Sequence, residues 1–438
     1  MDFALISTLS IFVIVLLLFS FEVIDKVIAV MAGVVLLFVF GIVGVNEVMN
    51  FIDIETLLLL FGMMLLVEVM QESGVFGWLN LKLTQWTAGN PFLILSFFLG
   101  ITFLLSAFLS NVTTIIIVLP ITIALTQAMG IDPKLYIITE IIFSNIGGTL
   151  TLIGDPPNIL IGTALHFSFM DFIYNLSIPV FTITLAIFGI IVVRYWKFFR
   201  PIYDNIPKLF VSSLLVKKVQ RQFALQYFNK SFAIKSVIVL LVTLFFFIFP
   251  EYLHLSPGGV ALAAAVLLML IVHKSIHLDH VLQRIEWNTL LFFCGLFVLV
   301  GALEKVGVLE MMSDLIVQNA HSYVALCIIV LWVSGILSAF IDNIPFVAIM
   351  IPVLQQVMGD GSISIVGKED MIWWALSLGA CLGGNGTLVG ASSNLVAVSL
   401  AKKHGIEISF LSFMKYGSLL TIMALIICTI YILFSLNI

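Results

Sequence analysis

Charged residues are scarce in this 438-residue chain: Asp, Glu, Lys and Arg together make up 10% of it, whereas 62% is hydrophobic. So little charge excludes an ordinary soluble protein, in which about 25% of residues are charged, and it implies that lipid surrounds much of the chain. The N-terminus also lacks the basic region and the small-residue cleavage site of a signal peptide. Residues 4–20 are therefore expected to form a retained membrane span.

Cysteine is scarce as well, and the sequence contains no spacing that is typical of a metal site or a disulfide framework. No nucleophile–base pair, metal-binding motif or soluble catalytic domain is evident, which argues against an enzyme. No resident cofactor and no nucleic-acid partner is expected. The four cysteines lie far apart in apolar runs, where they are expected to be buried small hydrophobic residues, and they are Cys294, Cys327, Cys381 and Cys428.

Apolar runs of spanning length divide the chain into two similar halves. In each half the fourth run is interrupted by polar residues, and a further apolar stretch is split by a polar tip. We interpret the two split stretches, 92–127 and 322–357, as re-entrant hairpins. The sequence thus predicts an all-α polytopic membrane protein with two repeats, each of five transmembrane spans, one hairpin and one interrupted helix. The predicted spans are 4–20, 27–45, 56–74, 134–166 and 172–196, then 234–250, 257–273, 288–304, 371–401 and 411–436.

The distribution of basic residues predicts the orientation, because cytoplasmic loops are enriched in Lys and Arg. Five spans per half require the second repeat to lie inverted relative to the first. We predict a first repeat at 1–196, a cytoplasmic basic linker at 197–235 that contacts anionic lipid, and a second repeat at 236–438. Both termini are then outside a prokaryotic plasma membrane. With this topology, Lys305 and Lys368 alone among the Lys and Arg residues fall on the outer side.

The two halves also match residue by residue. Three pairs of segments correspond, and they are 53–56 with 286–289, 106–111 with 338–343, and 147–158 with 383–394. The third pair combines glycines, hydroxyls and Asn inside an apolar run. Such groups are costly at membrane depth unless they line a cavity or bind a ligand. A matched pair of interrupted helices is the best sequence indicator of a transporter substrate site.

The hairpin tips and the helix interruptions are therefore expected to meet near the membrane midplane. They offer hydroxyls, amides, carbonyls, helix N-termini and carboxylates, and no Lys or Arg lies in these segments. The predicted substrate- and ion-binding residues are Ser110, Asn111, Thr113, Thr114, Gly147, Gly148, Thr149, Asp155, Asn158, Asp342, Asn343, Gly384, Asn385, Thr387, Ser392, Ser393 and Asn394.

Two carboxylates at this depth suggest coupling to a cation. A buried, unpaired Asp favours its protonated form, whereas a bound sodium ion favours the carboxylate. Asp342 is the main candidate coupling group and Asp155 the second, with a purely structural helix cap as the alternative for both. Ser392 and Ser393 are expected to cap the helix after the second interruption.

Backbone carbonyls freed by the interruptions favour small cations. One candidate sodium site combines Ser110, Asn111 and Gly148. The other combines Asn343 and Asn385. Bound sodium is the one ion cofactor that the sequence suggests.

These motifs resemble the ion transporter superfamily, in the branch of arsenite permeases and NhaD-type antiporters with a citrate transporter-like domain, and most of all its P-protein-type permeases. The resemblance rests on Phe61–Met64, Leu105–Thr114, Asn145–Gly148, Gly154–Asn158 and, in the second half, Asp342-Asn343 with Gly379–Ser392. It implies an inverted-repeat fold, elevator-type alternating access and a homodimer. It also implies a secondary transporter for a small ion, namely sodium itself, arsenite or a small carboxylate such as citrate.

The first hairpin tip departs from the P-protein-type pattern, which has Asp before Asn-Val-Thr-Thr. Ser110 occupies that position and cannot titrate. Proton chemistry at the tips then depends on Asp342, and the coupling ion stays open between sodium and protons. The alternatives are an uncoupled anion channel and a transport-inactive membrane receptor or scaffold.

Overall fold

The computed structural model contains twenty α-helices and two short 3-10 helices within the part of the chain that it describes. The predicted linker 197–235 lies almost wholly outside the described residues, since only 228–235 belong to them. The described ranges are 3–20, 23–87, 90–196, 228–253, 255–319, 322–359 and 368–436.

Ten described helices precede the predicted linker, and ten more begin at Lys230 or later, the first of them inside the last residues of that linker. The first ten are α1 (Phe3–Ser20), α2 (Lys26–Val39), α3 (Val48–Phe51), α4 (Ile54–Glu72), α5 (Val75–Thr87), α6 (Pro91–Ser106), α7 (Asn111–Ala128), α8 (Lys134–Thr149), α9 (Pro156–Leu165) and α10 (Phe169–Arg194). The second ten are α11 (Lys230–Ile248), α12 (Pro257–Val272), α13 (Leu278–Arg284), α14 (Trp287–Lys305), α15 (Val308–Asn319), α16 (Tyr323–Phe340), α17 (Asn343–Gly359), α18 (Met371–Gly383), α19 (Ser392–Lys403) and α20 (Phe410–Ser435).

The expectation of an all-α, multi-pass membrane protein is confirmed. Six described helices are long and apolar enough to cross a membrane, namely α4, α10, α11, α14, α16 and α20. Seven further helices are apolar over shorter lengths. The predicted hairpins correspond to the pairs α6–α7 and α16–α17, although α16 alone also reaches the length of a span.

The predicted span 27–45 was too long, because α2 ends at Val39. Gly41 follows with a φ of +66°, in the left-handed region that glycine adopts without strain. The amide of Ile42 then bonds back to the carbonyl of Leu37, which closes the helix end.

The same helix packing occurs twice. Helix α4 packs against α12, and its counterpart α14 packs against α2; likewise α6 packs against α8, and α16 against α18. Gly62 allows the first contact, since a Cβ there would lie 2.6 Å from the backbone nitrogen of Leu262. Gly295, which corresponds to Gly62, meets Val30 in the second contact. Small residues of this kind let membrane helices approach closely.

Contacts across the two halves bring the interrupted helices together. Helix α19 packs against α7, and α9 packs against α17, so each interrupted helix lies beside the hairpin of the other half. Trp374 of α18 is fully buried. Its ring lies 4.9 Å from that of Phe167 and 5.1 Å from that of Phe172, between centroids. This aromatic cluster joins the second interrupted helix to the first half of the chain.

Candidate functional site

Both helix interruptions are held by an asparagine in the helix that follows. The amide nitrogen of Asn158 donates to the carbonyls of Thr149 (3.0 Å) and Thr151 (2.9 Å). Asn394 repeats this arrangement with the carbonyls of Gly384 (2.8 Å) and Thr387 (2.9 Å). The two asparagines satisfy carbonyls that the interruption leaves without helical partners. They therefore fix the shape of the two breaks.

The two interruptions meet through a third asparagine, which the predicted site did not include. The amide nitrogen of Asn145 donates to the side-chain oxygens of Asn385 (2.9 Å) and Asn394 (3.0 Å). Its own oxygen accepts from the Ser393 hydroxyl at 2.9 Å. Asn145 is buried, and every one of these contacts crosses between halves. Its position in the motif Asn145–Gly148 was the signal that could have identified it.

The position corresponding to Asn145 in the second half is Cys381, since both lie in the segments that match at an offset of 236 residues. Cys381 likewise points its thiol at Asn158, with a sulfur–oxygen distance of 3.5 Å. Ser377 adds a stronger hydrogen bond to the same oxygen at 2.6 Å. The backbone arrangement is thus nearly symmetric, whereas the groups that hold it differ.

The first hairpin tip begins α7. The Ser110 hydroxyl accepts from the amide of Thr113 at 3.1 Å and therefore caps this helix. The side-chain oxygen of Asn111 accepts from the Ser106 hydroxyl at 2.5 Å. It also lies directly against Gly148, where an added Cβ would be 2.3 Å away. The predicted group of Ser110, Asn111 and Gly148 is thus brought together in part, with Asn111 and Gly148 in contact.

The second tip begins α17 and carries the clearest correction to the sequence analysis. Asp342 was expected to be unpaired, but the Lys26 ammonium lies 3.4 Å from its Oδ2 atom. Lys26 also donates to the Ser392 hydroxyl at 2.8 Å, and this hydroxyl lies 3.4 Å from Asp342 Oδ2. The other carboxylate oxygen accepts from the amide of Ile344, as a helix-capping residue does. Lys26 comes from α2, so the absence of basic residues in the tip and break segments was misleading.

Neither of the two predicted helix caps makes a capping hydrogen bond. Asp155 occupies the N-cap position of α9, but its side chain makes no cap hydrogen bond. The N-cap residue of α19 is Ala391, and Ser392 is the first residue inside that helix. Ser393 instead contacts Asn145. The second helical residue, Pro157, has no amide hydrogen, and the amide of the third, Asn158, bonds to the backbone carbonyl of Asp155, so no amide is left for the carboxylate to cap.

Asp155 is 3% exposed, and its Oδ2 atom has no hydrogen-bond partner among the described residues. The carboxyl faces the side chains of Cys381, Asn111 and Asn343, and lies within electrostatic range of Asp342. Both tips and the first interruption therefore surround this group. A buried carboxylate with an unused oxygen is a natural ligand for a proton or a small cation.

A cavity of about 690 Å³ lies beside the second tip and the second interruption, which contribute Asp342 and Val389 to its wall. Its polar wall includes Lys26, Glu286, Asp342 and Ser392, and Val112 from the first tip lies beside them. Glu286 also faces Ser110 and Lys26. The cavity is large enough for a small organic or inorganic ion.

The remaining predicted residues do not line this cavity, and all of them are buried except Ser110 and Thr113, which are half-buried. The hydroxyls of Thr151 and Thr387 donate to the carbonyls of Ala107 and Ala339, at equivalent positions beside the two tips. The Thr114 hydroxyl is buried without a partner among the described residues. The buried polar residues from the predicted set are Asn111, Thr114, Thr149, Asp155, Asn158, Asp342, Asn343, Asn385, Thr387, Ser393 and Asn394.

Paired interruptions, hairpins and a charged cavity in a multi-pass membrane protein define the class of membrane transporters. The chain belongs to the citrate transporter family, whose sequence model matches residues 16–379. It is accordingly a membrane transporter and not an enzyme. A transported small anion is the substrate class that the family implies.

Similar proteins come from bacteria and mammals. The 46 kDa membrane protein of Mycobacterium leprae is 31% identical over 98% of this chain and 98% of its own length. An uncharacterized transporter of Mycobacterium tuberculosis is 31% identical over 98% of this chain and 97% of its own. The P protein of Mus musculus is 32% identical over 95% of this chain, but the match covers 59% of the P protein. The chain thus spans a little over half the length of that mammalian relative. The match itself confirms the resemblance to P-protein-type permeases.

Proposed function

We propose that this protein is a secondary active transporter that moves a small anion, coupled to sodium ions or protons, by elevator-type alternating access. The observation that carries this proposal is the meeting of two tips and two interruptions around Asp155 and Asp342, beside an open cavity. Sites of this kind, at the interface of two repeats, are typical of alternating-access carriers.

Unequal exposure of equivalent positions supports alternating access. On one side, the hydroxyls of Thr56 and Thr163 are 2.6 Å apart and join α4 to α9. On the other side, the equivalent Thr289 is half-buried rather than buried, and Ser399, which corresponds to Thr163, is exposed. The carrier is thus closed at one face and open at the other. Under the predicted topology the open face is cytoplasmic.

The apolar wall of the cavity shows the same asymmetry. Leu395 and Val396 of α19 line the cavity and are partly exposed. Their counterparts in α9, Ile159 and Leu160, are 2% and 3% exposed. An exchange of these two environments between the halves would open the opposite face, as alternating access requires.

Asp342 and Asp155 are the proposed coupling groups. Asp342 lines the cavity. Asp155 is buried outside the cavity wall, and its Oδ2 atom has no hydrogen-bond partner among the described residues. Candidate sodium ligands remain Ser110, Asn111 and Gly148 at one end, with Asn343 and Asn385 at the other. Arsenite and small carboxylates such as citrate are the proposed anionic substrates, because Lys26 gives the cavity one cationic donor.

The finer architecture also belongs to the proposal. We infer two inverted repeats at 1–196 and 236–438, joined by a cytoplasmic linker at 197–235 that touches anionic lipid, with both termini outside. The matched helix order and the paired packing contacts support the repeat. The homodimer remains a prediction from the family resemblance.

The test is flux into proteoliposomes under imposed sodium and pH gradients, with citrate and arsenite as candidate substrates. We expect wild-type flux to saturate and to follow one gradient, and Asp342→Asn to abolish gradient-driven flux. Asp314→Asn is the matched control, since Asp314 is exposed on α15. Non-saturating flux that ignores both gradients would instead identify an uncoupled channel. Substrate binding without any flux would identify a receptor or scaffold.

A further inference from the structure

Lys26 joins two groups of helices that meet at the cavity. Lys26 is the first residue of α2, which packs against α1 and α14. Asp342 directly precedes α17 of the second hairpin, and Ser392 is the first residue of α19, after the second interruption. The Lys26 side chain is 25% exposed and that of Asp342 is 11% exposed. The ammonium also lies 5.0 Å from the centre of the Phe292 ring, which adds a cation–π contact. The ion pair is therefore partly desolvated and bridges separate elements.

The pair joins the two halves, and it forms at one of two equivalent places in the molecule. Helices α2 and α12 correspond, and each begins one residue after a capping residue, Asp25 or Ser256. Lys26 thus corresponds to Pro257, and Asp342 corresponds to Ser110. Both members of the pair are replaced by uncharged residues at the equivalent place. A purely structural link between helix groups would not need to be confined to one of the two equivalent places.

The charges around Lys26 determine what it can do. Asp342, Glu286 and Asp25 face or adjoin it, and all four residues line the same cavity. A cation that binds Asp342 Oδ2 takes the place of the ammonium, because two positive charges repel each other strongly at contact distance in a partly buried site. Displaced from Asp342, the ammonium remains in the cavity as a free donor for an anion.

We propose that Lys26 couples the two ligands: a sodium ion displaces it from Asp342, and the freed ammonium then binds the oxyanion of the substrate. This inference rests on the proposed cation-coupled function and adds an order of binding, sodium before anion. Each ligand then raises the affinity for the other by the same factor, as thermodynamic linkage requires. Without sodium, Lys26 stays paired with Asp342, and the anion lacks its cationic partner.

The experiment measures thermal unfolding of the purified protein during titration with sodium chloride, with choline chloride for ionic strength, in the presence and absence of citrate. We expect Lys26→Gln to bind sodium about tenfold more tightly than wild type, since one close charge pair is removed. Citrate binding should weaken in this variant and lose its dependence on sodium. Lys26→Arg, which keeps the charge, should retain that dependence.

Lys305→Gln is the matched control. Lys305 also forms a lysine–carboxylate pair, 2.7 Å from Glu47, but that pair is exposed and does not line the cavity. The sodium concentration that gives half of the stabilisation should be lower in Lys26→Gln than in wild type and Lys305→Gln. Equal values in the three proteins would overturn the inference. The inference would also be overturned if a proton gradient alone drove wild-type flux and sodium did not stabilise the wild-type protein against thermal unfolding. That result would leave the proposed function intact. Wild-type flux that follows neither gradient would overturn the proposed function itself.

Discussion

Gly148→Ala should disable the contact between the first interruption and the first hairpin tip. The new Cβ would lie 2.3 Å from the side-chain oxygen of Asn111 and 3.0 Å from the other two atoms of that amide. Asn111 must then move, although it is 6% exposed and its oxygen accepts from Ser106. The substitution therefore adds volume to a packed site and breaks a buried hydrogen bond.

The magnitude follows from those two effects. Overpacking costs about 1–3 kcal/mol, and the lost hydrogen bond adds about 1 kcal/mol. A total of roughly 2–4 kcal/mol corresponds to a loss of about 30-fold to several hundred-fold in ion affinity, if the strain falls on the bound state. The measurement is the sodium or proton dependence of flux in proteoliposomes, with thermal unfolding of the same preparations.

Gly384→Ala is the matched comparison, because Gly384 occupies the equivalent position in the second half. There the closest contact of an added Cβ is the Gly390 carbonyl oxygen at 3.1 Å, which a shift of a few tenths of an ångström relieves. We expect an effect several times smaller than that of Gly148→Ala. Equal losses in the two variants, or an unchanged ion dependence in Gly148→Ala, would refute the argument that Asn111 must keep its position against Gly148.

Two further predictions concern the open face and the interruptions. Ser399→Cys, made in a Cys294→Ser background, should react with an impermeant thiol reagent from the cytoplasmic side of inside-out vesicles, because Ser399 is exposed beside the open cavity. Labelling from the outer side alone would contradict the predicted topology. Asn394→Ala removes two hydrogen bonds to backbone carbonyls and one from Asn145, so it should destabilise the protein by roughly 3 kcal/mol in thermal unfolding. Asn175→Ala, which removes one side-chain bond to a backbone carbonyl, should lower the stability about a third as much. Equal losses of stability in the two variants would argue against the role of Asn394 in holding the second interruption.

Local signals in the sequence predicted much of the fold and of the site. Apolar runs, glycines and prolines placed the interruptions, and the polar tip of the first split stretch coincides with the start of α7. Proline directly after Asp155 also marked the start of α9 correctly. These features depend on residues that are neighbours in the chain, so the sequence alone reveals them.

Features that depend on distant residues were missed. Lys26 and Asp342 are 316 residues apart, and Lys26 has no charged counterpart in the repeat that could have drawn attention to it. The contacts of Asn145 with Asn385 and Asn394 cross between halves in the same way. Asp155 matched the pattern of a helix cap, but burial left its carboxyl facing the tips instead.

The two interruptions have similar backbone arrangements, but an ion pair forms at one of the two equivalent places only. This combination fits the proposed carrier function. Asn158 and Asn394 hold the two interruptions in the same geometry, so an inward-open and an outward-open arrangement can have similar energies. Two access states must differ by no more than a few kcal/mol for ligands to shift the balance between them. The pair of Lys26 and Asp342 forms at one of two equivalent places, so it gives one arrangement of the proposed carrier an ionic contact that the other lacks. A ligand that breaks this pair therefore changes the balance between the states, and the charge asymmetry is the place where binding energy can be converted into movement.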